Sequence, residues 1–486
     1  MEFESKSSAI LAVAFATVIS AVLIWFGNDL DPFWPLLWLA PLPPLLLSLG
    51  RRPWAGLLAM AAGFFIGAFS LWNYFHLLQL PTVVFLIIAG SLSVVVTIGA
   101  FLFRTLVRRG AVWSGLLAFP ATIVSFEYLR NISTPHGTAG SLAYTQLRFL
   151  PFLQLASITG PWGLTFLLML FPAALAITVD RWRAARLQAQ RVLGVSCGVL
   201  GAVLIFGWIR LELPIAGDPV AVGLIATDAE GGIPGANNAS ALLTRYAAAA
   251  NQLAARGAHI IVLPEKLATV IADRAGDDGN AALQRTADAT GATIIAGEVR
   301  VEGARRYNQA RVFRPQIQPL AYNKQHMLPP FEDPLTPGST ALTFAGAAGT
   351  YGVAICKDMD FTPLLREYGR AASGLMLVPA WDFNRDRAWH GHIAIMRAVE
   401  DGFSLVRSAR NGYLTVADNR GRILRETRSD ARMPFTTLLA TVPVRHSRTI
   451  YLLLGDWFAW LSCALLVACI ARLFVAGRTD SAALLR

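Results

Sequence analysis

Long stretches without a single charged residue set the first limit on how this 486-residue chain can fold. A helix needs about 20 consecutive apolar residues to cross the hydrocarbon core of a bilayer. The uncharged run 54–103 is long enough for two such helices, with a break predicted near Asn73–Pro81. With this pair we predict eight spans. The other six lie at residues 9–26, 33–50, 111–126, 149–179, 192–209 and about 452–471.

The composition agrees with an integral membrane protein. Hydrophobic residues make up 55% of the chain and charged residues 15%, against about 25% charged in an ordinary globular protein. These values exclude a disordered chain, a coiled coil and a disulfide scaffold. Two alternatives are less favoured: buried helices of a large soluble protein, and a cleaved signal peptide at 1–26, because the other predicted spans follow it.

The arginines between the spans alternate in position, and this alternation predicts the topology. Basic residues cluster after the second, fourth and sixth spans, whereas the turns between them are poor in Arg and Lys. By the positive-inside rule both termini are then cytoplasmic, and residues 211–449 lie on the outer side of the membrane. The net charge of +11 is therefore a topology signal and does not indicate nucleic-acid binding. The clustered residues are Arg51, Arg52, Arg104, Arg108, Arg109, Arg181, Arg183, Arg186 and Arg191.

From Pro219 onward, short β-rich runs alternate with amphipathic helical stretches, which predicts a layered α/β domain. Its predicted strands are 219–226, 258–263, 292–297, 306–313, 350–356, 374–379, 403–409 and 413–418. Its predicted helices are 239–256, 280–290, 361–372 and 388–402. We therefore divide the chain into a membrane domain at 1–210, an outer domain at 211–449, and a last span with a cytoplasmic tail at 450–486.

Two residue types are scarce in a way that points to chemistry. Cys356 is the one cysteine of the outer domain, so it is either a buried small hydrophobe or a reactive thiol. Only four lysines occur beside 38 arginines, and three of them, Lys266, Lys324 and Lys357, lie beside the motifs described next. Because this chain otherwise uses Arg for positive charge, a lysine at position 324 indicates that a compact ammonium group is needed there.

Three motifs follow one another in the outer domain. Glu265 comes just after one predicted strand, and Cys356 lies at the end of another. Lys324 lies between them in the sequence and is followed eight residues later by Glu332. Strand carboxyl ends are where α/β sheets assemble their sites. A cysteine nucleophile needs a base, and acyl transfer needs a positive donor for the developing oxyanion.

On these motifs the outer domain resembles the nitrilase superfamily of carbon-nitrogen hydrolases, whose Glu-Lys-Cys triad arrives in the same order. The whole chain resembles the bacterial apolipoprotein N-acyltransferase family, in which an αββα nitrilase-like domain is inserted before the last of eight spans. The segments that carry this similarity are Phe33-Trp34-Pro35, Leu153-Gln154-Leu155-Ala156, Gly163-Leu164-Thr165-Phe166-Leu167, Arg397-Ala398-Val399-Glu400 and Arg407-Ser408-Ala409-Arg410-Asn411-Gly412.

The resemblance implies a role for each motif residue. Glu265 is the general base, Lys324 stabilises the oxyanion and Cys356 is the nucleophile. Glu332 holds the lysine and the leaving group, and Asp358 is a supporting acid.

The implied reaction is ping-pong. Cys356 takes an acyl chain from a phospholipid as a thioester, and the N-terminal amine of a diacylglyceryl-cysteine lipoprotein then accepts that chain. No cofactor or metal is expected, and His390 and His392 lack a third ligand pattern. We expect a monomer in the bacterial inner membrane, with its catalytic domain on the periplasmic side.

Four segments depart from the family pattern, so the chemistry is better supported than the substrate. A membrane-anchored amidase that hydrolyses a small or lipid amide stays open, because water could take the same thioester. A non-catalytic scaffold is the third alternative, and the intact triad argues against it. The departing segments are His136-Gly137-Thr138-Ala139-Gly140, Pro330-Phe331-Glu332 with the shortened run after it, Cys356-Lys357-Asp358, and Pro379-Ala380-Trp381-Asp382-Phe383.

Overall fold

The computed structural model describes residues 6–215, 217–272 and 278–483. The chain divides into two compact units. The first is built from three separate stretches of chain, and the second almost entirely from one. The first unit contains the residues up to Ile132, Gly140–Arg210 and the chain from Asp456 onward. The second contains Leu211–Gly455 together with the short segment Ser133–Ala139.

The first unit is helical. In the described part of the chain, seven helices are long and apolar enough to cross a membrane, as judged by length and composition. The break predicted in the run 54–103 is present between Leu77 and Thr82. The seven helices are Ser8–Gly27, Pro53–Leu77, Thr82–Arg108, Val112–Ser133, Pro161–Arg181, Arg186–Glu212 and Trp457–Phe474.

The eighth predicted span, 33–50, has a different structure. It contains a 3₁₀ helix at Trp34–Trp38 and a separate α-helix at Leu42–Ser48. Four prolines in this stretch each remove a backbone donor, and Pro41 lies at the junction of the two helices. The two helices contain five and seven residues, so neither by itself reaches the about 20 residues of a single spanning helix. The predicted run 149–179 is likewise interrupted, by Gly160 with a φ of +63°, before the helix Pro161–Arg181.

The second unit is built from two sheets. One contains seven strands in the order β13-β1-β2-β4-β5-β6, with β3 also paired to β4, and the other has the order β12-β11-β10-β9-β8-β7. The strands are β1 Asp218–Ala226, β2 Ile260–Val262, β3 Thr269–Ile271, β4 Thr293–Glu302, β5 Arg305–Arg314, β6 Ile317–Asn323, β7 Leu342–Gly346, β8 Gly349–Val353, β9 Ser373–Trp381, β10 Ser404–Arg410, β11 Tyr413–Ala417, β12 Ile423–Arg428 and β13 Thr436–Val444.

The two sheets pack face to face, and helices cover their outer faces. In β1, Val222 and Leu224 point into the core between the sheets, whereas Ile225 points to the core beneath the helices. Both faces of this strand are therefore buried, which is why it reads as a continuous apolar run. The helices Ala236–Ala255 and Asp278–Thr290 cover the first sheet, and Thr362–Arg370 and Arg387–Asp401 pack against the second.

This arrangement is an αββα sandwich and confirms the predicted fold class. The predictions missed the strands β3, β6, β7, β12 and β13. Strand β13 comes from the end of the unit and pairs antiparallel with β1 over its whole length, from Asp218 opposite Val444 to Ala226 opposite Thr436. Such a return across more than 200 residues depends on tertiary pairing and has no local signal in the sequence.

The core between the sheets gives a first prediction. Leu377 in β9 is 0% exposed and packs in that core, so Leu377→Ala leaves a cavity. We expect a loss of about 2–5 kcal/mol of stability, seen as a clear drop in the thermal unfolding midpoint of the purified protein in detergent. Ile423→Ala in β12 is the matched control, because Ile423 is 44% exposed. Equal unfolding midpoints for the two variants would contradict this packing.

Candidate active site

Cys356 lies where β8 ends and a 3₁₀ turn begins. That turn spans Cys356–Asp360. The backbone φ of Cys356 is +42°, in the left-handed region that a residue with a side chain rarely adopts. The thiol is partly buried, and its Sγ donates to the carbonyl oxygen of Trp381 at 3.7 Å. A strained residue held by surrounding structure is a common feature of functional sites.

Glu265 and Lys324 form a buried ion pair. The Nζ of Lys324 lies 2.9 Å from Oε1 of Glu265 and 2.8 Å from Oε2 of Glu332, and all three side chains are at most 2% exposed. Burial by itself would lower the pKa of Lys324, but the two carboxylates outweigh it and hold that pKa well above its ordinary value. Lys324 is therefore a fixed positive charge.

Glu332 has a hydrogen-bond donor at every lone pair. Its Oε1 accepts from Nζ of Lys266 at 2.6 Å and from Nδ2 of Asn308 at 2.8 Å, and its Oε2 accepts from Lys324 and from the backbone N–H of Leu328 at 2.9 Å. Burial raises the pKa of Glu332, but Lys324 and Lys266 reverse this and hold it well below the ordinary value. Glu332 thus stays ionised and suits the holding of other groups better than proton transfer.

Glu265 differs from Glu332 in this respect. Its Oε1 accepts from Nδ2 of Asn308 at 2.5 Å and from Lys324. Among the described residues, no group donates a hydrogen bond to its Oε2. One lone-pair-bearing oxygen is therefore available to take a proton, as a general base requires.

The environment of Cys356 calls for such a base. Burial and the nearby carboxylate of Glu265 raise the pKa of the thiol, and the opposing charges of Lys324 and Arg407 do not offset them. The thiol is consequently protonated at neutral pH. Proton transfer must accompany nucleophilic attack, because the thiolate is the nucleophile.

Asp358 ties the elements of the site together. Its Oδ2 accepts from the hydroxyl of Tyr322 at 2.7 Å and from the N–H of Ile355 at 3.1 Å, and its Oδ1 accepts from the N–H of His326 at 2.9 Å. Tyr322 and His326 flank Lys324, whereas Ile355 precedes Cys356. The carboxylate therefore fixes the lysine segment against the cysteine turn.

A second brace on the cysteine turn comes from the segment Ser133–Ala139. The N–H and hydroxyl of Thr138 both donate to the carbonyl oxygen of Asp360, at 3.0 and 2.7 Å. The Nζ of Lys357 lies 3.5 Å from Nδ1 of His136. Gly137 has a φ of +54°, and a Cβ there would come within 2.5 Å of the Asp360 carbonyl oxygen. A larger residue at Gly137 would push this segment off the turn.

Trp381, whose carbonyl oxygen accepts from the thiol of Cys356, also contacts two cations with its ring. The guanidinium of Arg410 lies 4.1 Å from its ring centroid, and Nζ of Lys266 lies 5.3 Å from it. The next residue, Asp382, accepts two hydrogen bonds from Arg407, at 2.5 and 3.0 Å, and both side chains are at most 1% exposed. Of the two histidines to which the sequence assigned no metal, His390 pairs through Nε2 with Oδ2 of Asp386 at 3.0 Å.

The structure brings together Glu265, Lys324 and Glu332, and it places Asp358 as a link to the Cys356 turn. Sequence analysis missed Asn308, which lies inside β5 and bonds both carboxylates. No sequence signal marked it, because a strand asparagine has many ordinary uses. Sequence analysis noted Lys266 only for its position, and the scarcity of lysine was the signal that could have placed it in the site.

Known protein families match both units. The family described as apolipoprotein N-acyltransferase N-terminal domain matches residues 20–174, and the carbon-nitrogen hydrolase family matches residues 226–449.

Full-length relatives share one description. The apolipoprotein N-acyltransferase of Geobacter metallireducens is 29% identical, with 92% of each chain covered. That of Bradyrhizobium diazoefficiens is 28% identical over 80% of this chain and 78% of its own. Among solved structures, an amidase from Nesterenkonia sp. matches 49% of this chain and 94% of its own, with a TM-score of 0.41 and 20% identity. Nit3 of Saccharomyces cerevisiae, a nitrilase-superfamily member, matches 48% and 92%, with a TM-score of 0.40 and 20% identity.

The turn that carries Glu265 gives a second prediction. A Cβ at Gly297 in β4 would lie 2.6 Å from both Cα of Glu265 and the carbonyl oxygen of Pro264, so Gly297→Ala must displace this turn. We expect slower alkylation of Cys356 by iodoacetamide at neutral pH, because the thiol is protonated there and a displaced Glu265 takes its proton less readily, with the fold retained. The matched control is Gly235→Ala, because a Cβ at Gly235 meets no neighbouring atom. Gly303→Ala would be unsuitable, since Gly303 has a φ of +57° that an alanine rarely adopts. Alkylation of Gly297→Ala at the wild-type rate would show that the position of Glu265 does not matter.

Proposed function

The chain belongs to the apolipoprotein N-acyltransferase family, and we propose that it moves a fatty acyl chain from a phospholipid, through a thioester on Cys356, to the N-terminal amine of a diacylglyceryl-cysteine lipoprotein. One observation carries this proposal. A buried Glu265–Lys324 pair lies with a strained cysteine turn in a chain whose two parts match this family's membrane domain and the carbon-nitrogen hydrolases. An acyl donor in a bilayer also accounts for the seven long apolar helices that the described part of this hydrolase-like enzyme contains.

In the first half-reaction, Oε2 of Glu265 takes the proton from Sγ of Cys356 as the sulfur attacks the ester carbonyl of the donor. Nζ of Lys324 stabilises the oxyanion of the tetrahedral intermediate. The intermediate collapses, the C–O bond of the ester breaks, and the leaving lysophospholipid alkoxide receives the proton from Glu265. The products are a lysophospholipid and an acyl-Cys356 thioester.

The second half-reaction uses the same groups. The acceptor amine attacks the thioester carbonyl, and Lys324 again stabilises the oxyanion. The C–S bond breaks, the sulfur leaves, and Glu265 moves one proton from the amine to that sulfur. The products are an amide on the lipoprotein and the free thiol of Cys356. Glu332 and Asp358 do not react in either half, and their contacts suit them to position Lys324 and the cysteine turn.

The proposal includes the placement of the protein. It is a membrane protein. With 33–50 counted as a crossing made of two short helices, the arginine pattern supports an inner-membrane location with residues 211–449 on the periplasmic side, residues 1–210 as the membrane domain, and 450–486 as the last span and cytoplasmic tail. We propose a monomer. The amidase alternative is less supported, because the N-terminal match and the full-length relatives are described as acyltransferases.

The half-reaction predicts a covalent intermediate. Incubated with phospholipid and no acceptor, the purified protein should gain the mass of one acyl chain, and hydroxylamine should remove that mass. Cys356→Ala should show no adduct. Cys197→Ala, which removes an exposed thiol from the helix Arg186–Glu212, should behave as the wild type. If the wild-type protein forms no adduct in active membranes, a phospholipid is not the acyl donor. The amidase alternative would then be tested with small amides as substrates.

The oxyanion role predicts that charge alone is insufficient at position 324. Lys324→Arg should reduce adduct formation by about 100-fold or more, because a planar fork cannot reproduce a compact donor within a cage of two carboxylates. Adduct formation is followed by intact mass over time. The matched control is the reverse exchange Arg300→Lys, in a buried pair with Glu298 away from this cluster. Wild-type rates for Lys324→Arg would show that the lysine has another role.

A further inference from the structure

Lys266 brings a second amine into the carboxylate cluster. Its Nζ lies 2.6 Å from Oε1 of Glu332 and 3.7 Å from Oε1 of Glu265, and its side chain is 14% exposed. Its backbone φ of +50° is in the left-handed region. The turn is held there by Gly297, whose carbonyl oxygen accepts from the N–H of Leu267 at 2.8 Å. A strained turn thus directs the amine toward Glu332.

The charges of the cluster balance only when Lys266 is counted. Glu265 and Glu332 contribute two negative charges, and Lys324 contributes one positive charge. These three groups together would be left with a net charge of −1. Lys266 brings the total to zero. Because an uncompensated buried charge is costly and acts strongly on its neighbours, this fourth group changes the electrostatic state of the whole site.

Glu332 has one oxygen for each lysine. Oε2 accepts from Lys324 and from the N–H of Leu328, whereas Oε1 accepts from Lys266 and Asn308. Without Lys266, Glu332 would draw its compensating charge from Lys324 alone. With Lys266 present, more of the positive charge of Lys324 is available to a third group, such as an oxyanion or a thiolate.

We propose that Lys266 is a positioning residue of the acyl-transfer reaction, which neutralises Glu332 so that Lys324 serves the reacting carbonyl and the sulfur of Cys356. This inference rests on the proposed function for its chemistry, but the electrostatic effect on the thiol does not depend on which acyl donor is used. Lys266 acts through Glu332 and Lys324.

The pH dependence follows from the groups that face each site. Glu332 is faced by Lys324, Lys266 and Asn308, and Cys356 by Glu265, Lys324, Arg407 and Asp382. Loss of Lys266 removes one of the two ammonium groups that hold the pKa of Glu332 low. It also makes the cluster more negative, which disfavours the thiolate and moves the thiol pKa further upward.

The test is the pH profile of Cys356 alkylation by iodoacetamide, measured by mass spectrometry on the full-length protein in detergent. Lys266→Met should shift the profile upward by about one pH unit, which makes alkylation at neutral pH about tenfold slower. Lys266→Arg should return the profile toward that of the wild type. Arg300→Met is the matched control, because Arg300 is a cation of similar burial (11% exposed) paired with Glu298, and its profile should not move.

A superimposable profile for Lys266→Met would overturn the proposal, and so would an equal shift for Arg300→Met. A purely structural role would lower the thermal midpoint and leave the profile of the folded fraction in place. If Lys266→Met does not fold, Lys266→Gln replaces it, with the same expected shift. If wild-type protein forms no acyl adduct but the Lys266→Met shift is present, the proposed donor fails and the role of Lys266 stands.

Discussion

The second unit depends on keeping the carboxylates of Glu265 and Glu332 and the ammonium of Lys324 out of water. Glu265, Glu332 and Lys324 are each at most 2% exposed, and no one of them would be tolerated there alone. Burial of an isolated ion costs several kcal/mol even after the surrounding structure relaxes, so each charge is stable only while its partners stay within hydrogen-bond distance. The cluster therefore constrains where β2 and β6 must end.

That constraint explains the local features around the site. Lys324 is fixed through its backbone as well as its side chain, since its N–H donates to the carbonyl oxygen of Asn308 at 2.8 Å and its own carbonyl oxygen accepts from Gly338 at 2.8 Å. The N–H of Glu265 reaches across to the carbonyl oxygen of Ala380 in the other sheet, at 3.3 Å. This last contact joins the two sheets at the end where Glu265 and Cys356 lie, and the hydrogen bonds of Asp358 add a second link there.

Much of this could be predicted because it is local. Glu265 and Cys356 follow apolar strands, and the eight-residue spacing of Lys324 and Glu332 is visible in the chain. The rest depends on tertiary contacts. Asn308 has meaning only once β5 lies beside β6, and the long return of β13 to β1 leaves no periodic signal. Residues 33–50 have the composition of a span, but their prolines divide them into two short helices.

The segment Ser133–Ala139 has a consequence for how this enzyme is made and handled. The Cys356 turn is capped by Thr138, which lies 222 positions before its partner Asp360. The second unit is thus assembled from two separated pieces of chain, and the smaller one leaves the ribosome long before the larger. A fragment cut to residues 211–455 would contain Glu265, Lys324 and Cys356 yet lack the peptide that caps the cysteine turn. An active soluble fragment would have to supply that peptide in another way.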